Sequence, residues 1–154
     1  MSTVLPFRAT YTQAIDDGRY IEGQLRAYST SVNAAIPEKC AILQLPYMAF
    51  PENGIREPGL NDYEHGRLGL ANPDKLFSYG TVKGTQEAVF TAALTDPPSR
   101  SQLDQLRQAG FCAIHVDRRG YTDVAWQRIT TMLGAELGTP VAEGLDGMWF
   151  TYRL

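Results

Sequence analysis

The sequence predicts an α/β domain of three layers, built on a mixed, mostly parallel sheet with a C-terminal β-hairpin. Three observations lead to that class. Two short runs, Cys40–Leu45 and Phe111–Val116, are apolar nearly throughout, as strands covered on both faces are. A helical pattern precedes each of them, and another follows the second almost at once. The C-terminus alternates apolar and polar residues around Asp146-Gly147, a strong turn pair.

Taken in order, residues 1–15 read as an N-terminal arm interrupted by Pro6, and residues 16–154 as a single domain. Asp16 or Asp17 is expected to cap the first helix, with Ile21, Leu25, Tyr28, Val32 and Ile36 at three- and four-residue spacing. Pro37 stops it. The first strand, Cys40–Leu45, ends at Pro46, which lacks the N–H that a central strand donates. Residues 46–75 form a long loop rich in proline and glycine, with one or two helical turns expected over Asn61–Arg67. A loop of that length in a compact domain is usually functional or disordered, and Tyr47, Phe50 and Tyr63 favour an ordered one.

Leu76–Tyr79 is a short strand, and Thr85–Leu94 a helix. Ser99 caps the next helix, which turns Leu103 and Leu106 inward and ends at Gly110. The strand Phe111–Val116 follows. Thr122 or Asp123 then opens a helix with Ile129, Met132, Leu133 and Leu137 on one side, closed by Gly138. In the hairpin, Met148, Phe150, Tyr152 and Leu154 alternate with Trp149, Thr151 and Arg153, the pattern of a sheet edge packed on one face.

At 154 residues the chain fits one domain with a sizeable core of its own. A formal charge of −3 argues against binding nucleic acid by phosphate neutralisation. No apolar run approaches the roughly 18 residues of a membrane span, and no signal-peptide pattern opens the chain, so it reads as soluble. Cys40 and Cys112 occupy matched contexts, Cys-Ala-Ile-Leu and Cys-Ala-Ile-His. Two buried free thiols packing as small hydrophobes are the expectation; a disulfide is the alternative, in an oxidising compartment with suitable spacing. Neither cysteine has a histidine at zinc-ligand spacing, so no metal and no cofactor is expected.

Candidate binding residues come from three predicted strand ends: Tyr47 after Gln44-Leu45-Pro46, Tyr79 with Lys83, and Asp117, Arg118 and Tyr121 after the central strand. In open α/β sheets ligands bind beyond the carboxyl ends of strands, so parallel neighbours would deliver these groups to one rim. The long loop adds Glu52, Asp62, His65 and Arg67 as a roof. Each has a plainer alternative. Asp117 can serve as a general base, or cap a turn and pair with an adjacent arginine. Arg118 and Arg119 can clamp a carboxylate or phosphate or lie solvated. Lys83 can meet an anion at a helix start, although its glycines lack phosphate-loop spacing. His65 and Asp62 can form an acid/base pair or bond their neighbours, and His115 reads as a satisfied core residue. The aromatic residues suit a sugar-like ligand, whose apolar face they can cover, or simply pin the loop.

One succession of motifs goes further. Leu45-Pro46-Tyr47, Phe50-Pro51-Glu52, Asp62-Tyr63-x-His65, Phe77-Ser78-Tyr79-Gly80 with Lys83-Gly84, and Val116-Asp117-Arg118-x-Gly120-Tyr121 occur in that order. Together they resemble the soluble C-terminal extracytoplasmic domain of bacterial polytopic membrane proteins of the GT-C glycosyltransferase or sugar (phosphoglycerol) transferase-like kind. The resemblance implies an excised domain on the outer face of the cytoplasmic membrane, partnered by the membrane-spanning part of its parent and by a glycan or lipid-linked sugar. It also implies that the catalytic acids lie in the membrane part, so the domain itself is an accessory and not a catalyst. The rival reading is a stand-alone cytoplasmic α/β enzyme acting on a sugar or phosphorylated small molecule, with Asp117, His65 or Glu52 as acid/base. A ligand-free interaction module is the third.

Overall fold

The computed structural model describes residues 5–154 except Glu52 and Glu57, with side chains from Asp16 onward. The fold is the expected α/β class: one five-stranded mixed sheet between two helical layers. The strands are β1 (Ala41–Leu45), β2 (Leu76–Phe77), β3 (Phe111–Asp117), β4 (Ala142–Gly144) and β5 (Trp149–Arg153), in the order β2-β1-β3-β5-β4. β1 runs parallel to β2 and β3, while β5 is antiparallel to both β3 and β4.

The helices are α1 (Leu5–Ala35), α2 (Glu64–Ala71), α3 (Gln86–Ala92), α4 (Arg100–Gln108) and α5 (Asp123–Leu137). Helix α1 starts earlier than the sequence suggests, so residues 5–15 are helical and not an arm, and neither Asp16 nor Asp17 is a cap. The physical reason is Pro6. In a first turn its missing N–H has no intrahelical partner to lose, so proline opens a helix there and does not break one. At the other end, Lys75 Nζ bonds the carbonyls of Ile36 and Glu38, and Arg153 Nη1 donates to Ala35 O at 3.0 Å. Two cations thereby lie at the negative end of the helix, Arg153 on the carbonyl of its last residue and Lys75 on carbonyls just beyond it.

The strand pleat sorts the core into two clusters. Leu43, Leu45, Ile114, Val116 and Tyr152 face α4 and α5, packing against Leu103, Leu106, Ile129 and Leu133. Ile42, Ala113 and Trp149 face α1 and α2, packing against Tyr28, Val32, Ile36 and Leu68. Each fully buried aliphatic side chain contributes about 1.5–3 kcal/mol by leaving water. Ser99 and Gln102 form the capping box that starts α4, and Gly110, at φ 92°, turns the chain from it into β3.

Two expectations are corrected here. Strand β5 is not a sheet edge: it lies between β3 and β4, with Trp149 and Thr151 buried as fully as Tyr152 on the opposite face. The alternation reflects two packed faces of differing polarity. The cysteines are not free thiols: Cys40 and Cys112 form a disulfide with a Cα–Cα distance of 5.9 Å. The register of β1 on β3 slips between Ala41↔Phe111 and Ile42↔Ala113, leaving Cys112 as the extra residue of a bulge beside Cys40.

Candidate functional site

The carboxyl ends of β1, β2 and β3 do share one edge, and on the α1 side that edge carries two polar regions. The first is sealed. Asp117, only 2% exposed, accepts from Arg119 Nε at 3.0 Å and Arg119 Nη2 at 2.7 Å, and from the Arg119 backbone at 3.1 Å. Trp149 Nε1 donates at 3.1 Å to Oδ2, the oxygen that also accepts Arg119 Nη2, and Arg119 continues to Glu64 Oε2 at 3.3 Å. Burial by itself would raise the Asp117 carboxyl, but the two-pronged guanidinium bond outweighs it and holds the group below its ordinary value.

Next to this pair, Tyr28 Oη lies 2.9 Å from His115 Nδ1 and 2.6 Å from Thr151 Oγ1. Burial, reinforced by neighbouring His65, pushes His115 down to about 3, so the ring is neutral. The space among Tyr28, Glu64, His115, Asp117 and Trp149 is a cavity of about 10 Å³, at the lower limit for one water. No substrate fits it.

The second region is open. Phe50, Asp62, Tyr63, Arg67, Phe77 and Tyr79 line a cleft of about 520 Å³ between α2, β2 and the long loop. Phe50 stands edge-on to Tyr63 at 6.5 Å and to Tyr79 at 5.7 Å, so the rings brace one another. Tyr63 keeps 51% of its surface exposed and holds φ 66°, a left-handed conformation that a bulky residue rarely adopts. Asp62 fixes the loop: it accepts from the backbone N–H groups of Asn53, Gly54 and Tyr63 at 3.1–3.3 Å.

Beneath the cleft floor, His65 Nε2 donates to Pro46 O at 2.8 Å, which leaves Nδ1 as an acceptor with no partner. Burial lowers the His65 pKa and keeps the ring neutral. The Tyr79 hydroxyl is buried too and makes no hydrogen bond of good geometry; its burial, with Asp62 nearby, raises its pKa. Gln44 ties the floor together, donating to His65 O at 2.8 Å and accepting from Tyr79 N at 3.2 Å, while its own N–H meets Ser78 Oγ at 2.8 Å.

The nine candidates therefore divide. Asp62, His65 and Tyr79 meet in the cleft, and Asp117 lies behind it, linked through Arg119 to Glu64. Tyr47 is half-buried just past β1, and Lys83 lies outside the cleft lining, tied to Phe50 by its backbone N–H, which bonds Phe50 O at 3.2 Å. Two candidates turn away. Arg118 points to α5, 3.5 Å from Asp123 and over the Trp126 ring. Tyr121 is buried in the opposite core, its hydroxyl donating to both Asp96 oxygens at 2.8–2.9 Å, with Arg56 over its ring. Glu52 lies outside the described residues.

Glu64, Tyr28 and Thr151 were missing from the sequence-derived set, and Arg119 was named only beside Arg118 as an anion clamp or as an arginine adjacent to Asp117, the second of which it is. Among the described residues no group of three metal-ligating side chains occurs, and no helix is long and apolar enough to cross a membrane. No family model, curated protein or solved structure matches the chain. The likeness to the sugar-transferase domains thus stands on its motifs alone.

Proposed function

We propose that this chain is a non-catalytic extracytoplasmic domain of a membrane sugar-transfer protein, and that it binds or positions a glycan or lipid-linked sugar in the cleft. One observation carries the reading: Asp117 and His115, at the end of the central strand, are closed off and internally bonded, whereas the aromatic groups able to hold a sugar ring are open. Asp117 has both oxygens engaged and His115 is buried under Tyr28, which leaves neither positioned to reach a substrate. Tyr63, half exposed beside Phe50 and Tyr79, offers a ring face to the apolar side of a pyranose, with Asp62 and Arg67 beside it for hydroxyls.

The Cys40–Cys112 bond supports the compartment, because disulfides persist in oxidising environments such as the periplasm and cell surface. In this reading the membrane-spanning part of the same parent is the domain's partner and supplies the catalysis. Titration of labelled protein with oligosaccharides, followed by amide NMR, tests the proposal. Shifts should cluster on Phe50, Tyr63 and Tyr79, and Tyr63→Ala should weaken binding about tenfold with the fold intact. Saccharides that leave these amides unmoved would dismiss the reading.

A further inference from the structure

The charges around the cleft narrow its ligand. Arg67 is the one guanidinium among the described residues that line it, and its Nε already lies 3.3 Å from Glu64 Oε1. Glu64 is also bonded by Arg119 from behind, so two arginines converge on that single carboxylate. The first turn of α2, whose positive dipole end would otherwise attract an anion, holds Glu64 itself and, just ahead of it, Asp62. Asp62 accepts the Tyr63 N–H at the helix start and lines the cleft. His65 adds no positive charge at the floor, because its one placed proton goes to the Pro46 carbonyl and burial keeps the ring neutral. Lys83 lies outside the lining.

From this arrangement we infer that the cleft selects uncharged or cationic hydroxyl-rich sugars and rejects phosphorylated ones, an inference that rests on the carbohydrate-binding reading above. A phosphate group here meets carboxylates and finds no cation among the lining residues that is not already matched. For a lipid-linked sugar, the cleft would take the sugar and leave the phosphate linkage outside.

The test compares glucose, glucosamine and glucose phosphate against the labelled chain by amide NMR. Glucose and glucosamine should perturb the cleft, with glucose phosphate weaker by about fivefold or more, the effect of one like charge at contact distance in water. Raising the salt should narrow that gap and leave glucose unchanged. Asp62→Asn should also narrow the gap between glucose and glucose phosphate, and the salt series gives the answer independently if that variant weakens both sugars or loosens the loop. Equal or tighter binding of glucose phosphate would overturn the inference and leave the carbohydrate reading standing. A cleft unmoved by all three sugars would remove that reading and the inference with it.

Discussion

The sealed network around Asp117 and the aromatic cleft around Tyr63 lie side by side at the same sheet edge, yet they stand in opposite relation to water. In the first, charged and polar groups are buried and answered from within: carboxylate by guanidinium and indole, imidazole by phenol. In the second, large rings stay exposed and the backbone is held in a disfavoured conformation to keep one of them there. Buried, satisfied polar groups specify a fold; exposed rings and local strain are where a fold keeps surface available for a ligand. The contrast teaches that perturbed titration alone does not mark the functional residue here. The most perturbed imidazole, His115, belongs to the architecture.

Substitutions in the two regions should therefore separate stability from binding. The largest effect is expected at Asp117→Ala, which strips the partner from Arg119 and from the Trp149 N–H. Unfolding in urea should show a loss of about 3–5 kcal/mol, as removal of one member of a buried pair does. A loss below 1 kcal/mol would mean that water reaches the network and that the distinction from the cleft is false.

Acid should act next, through the buried imidazoles and not through the exposed rings. His115 is held at about 3 in the fold against 6.5 in the free side chain, and His65 is lowered in the same direction. Below pH 6.5 the unfolded chain takes up protons that the folded chain refuses, so stability is present above that value and falls as the pH drops toward 3. The slope should be about 1.4 kcal/mol per pH unit for each neutral imidazole. Asp117, also lowered, adds its own loss at the acid end. Unfolding curves across this range should keep that slope in Tyr63 variants; a flat profile would show both imidazoles hydrated.

The smallest effect sharpens the comparison most. Tyr63→Gly removes the left-handed strain and the exposed ring together. Stability should rise by about 1 kcal/mol or less while saccharide binding weakens about tenfold, as in Tyr63→Ala. A destabilised variant would make Tyr63 a packing residue instead.

Much of this was legible in sequence because it is local. The Ser99 cap, the proline stop after Ile36, the Asp146-Gly147 turn and the two apolar strand runs each act through neighbours in the chain. Tyr79 was legible as a candidate because parallel strands carry their ends to one side, and Asp62 and His65 because they lie in the long segment that leaves the end of β1. Arg118 and Tyr121 were not placed correctly, because Arg118–Gly120 form a single tight helical turn. Successive side chains there diverge, so Arg119 enters the network while Arg118 leaves it. Gly120 makes the turn possible: a Cβ there would lie 2.5 Å from Pro46 Cγ.

By itself the sequence determined where strands and helices form and which face of each is apolar, since periodicity and capping are written within a few residues. Only the tertiary structure decided that Cys40 meets Cys112 across 72 residues, that β5 is enclosed, and that Arg119 answers both Asp117 and Glu64. Those outcomes depend on strand order and on a bulge in one register. Pairing between distant segments leaves no periodic trace in either of them.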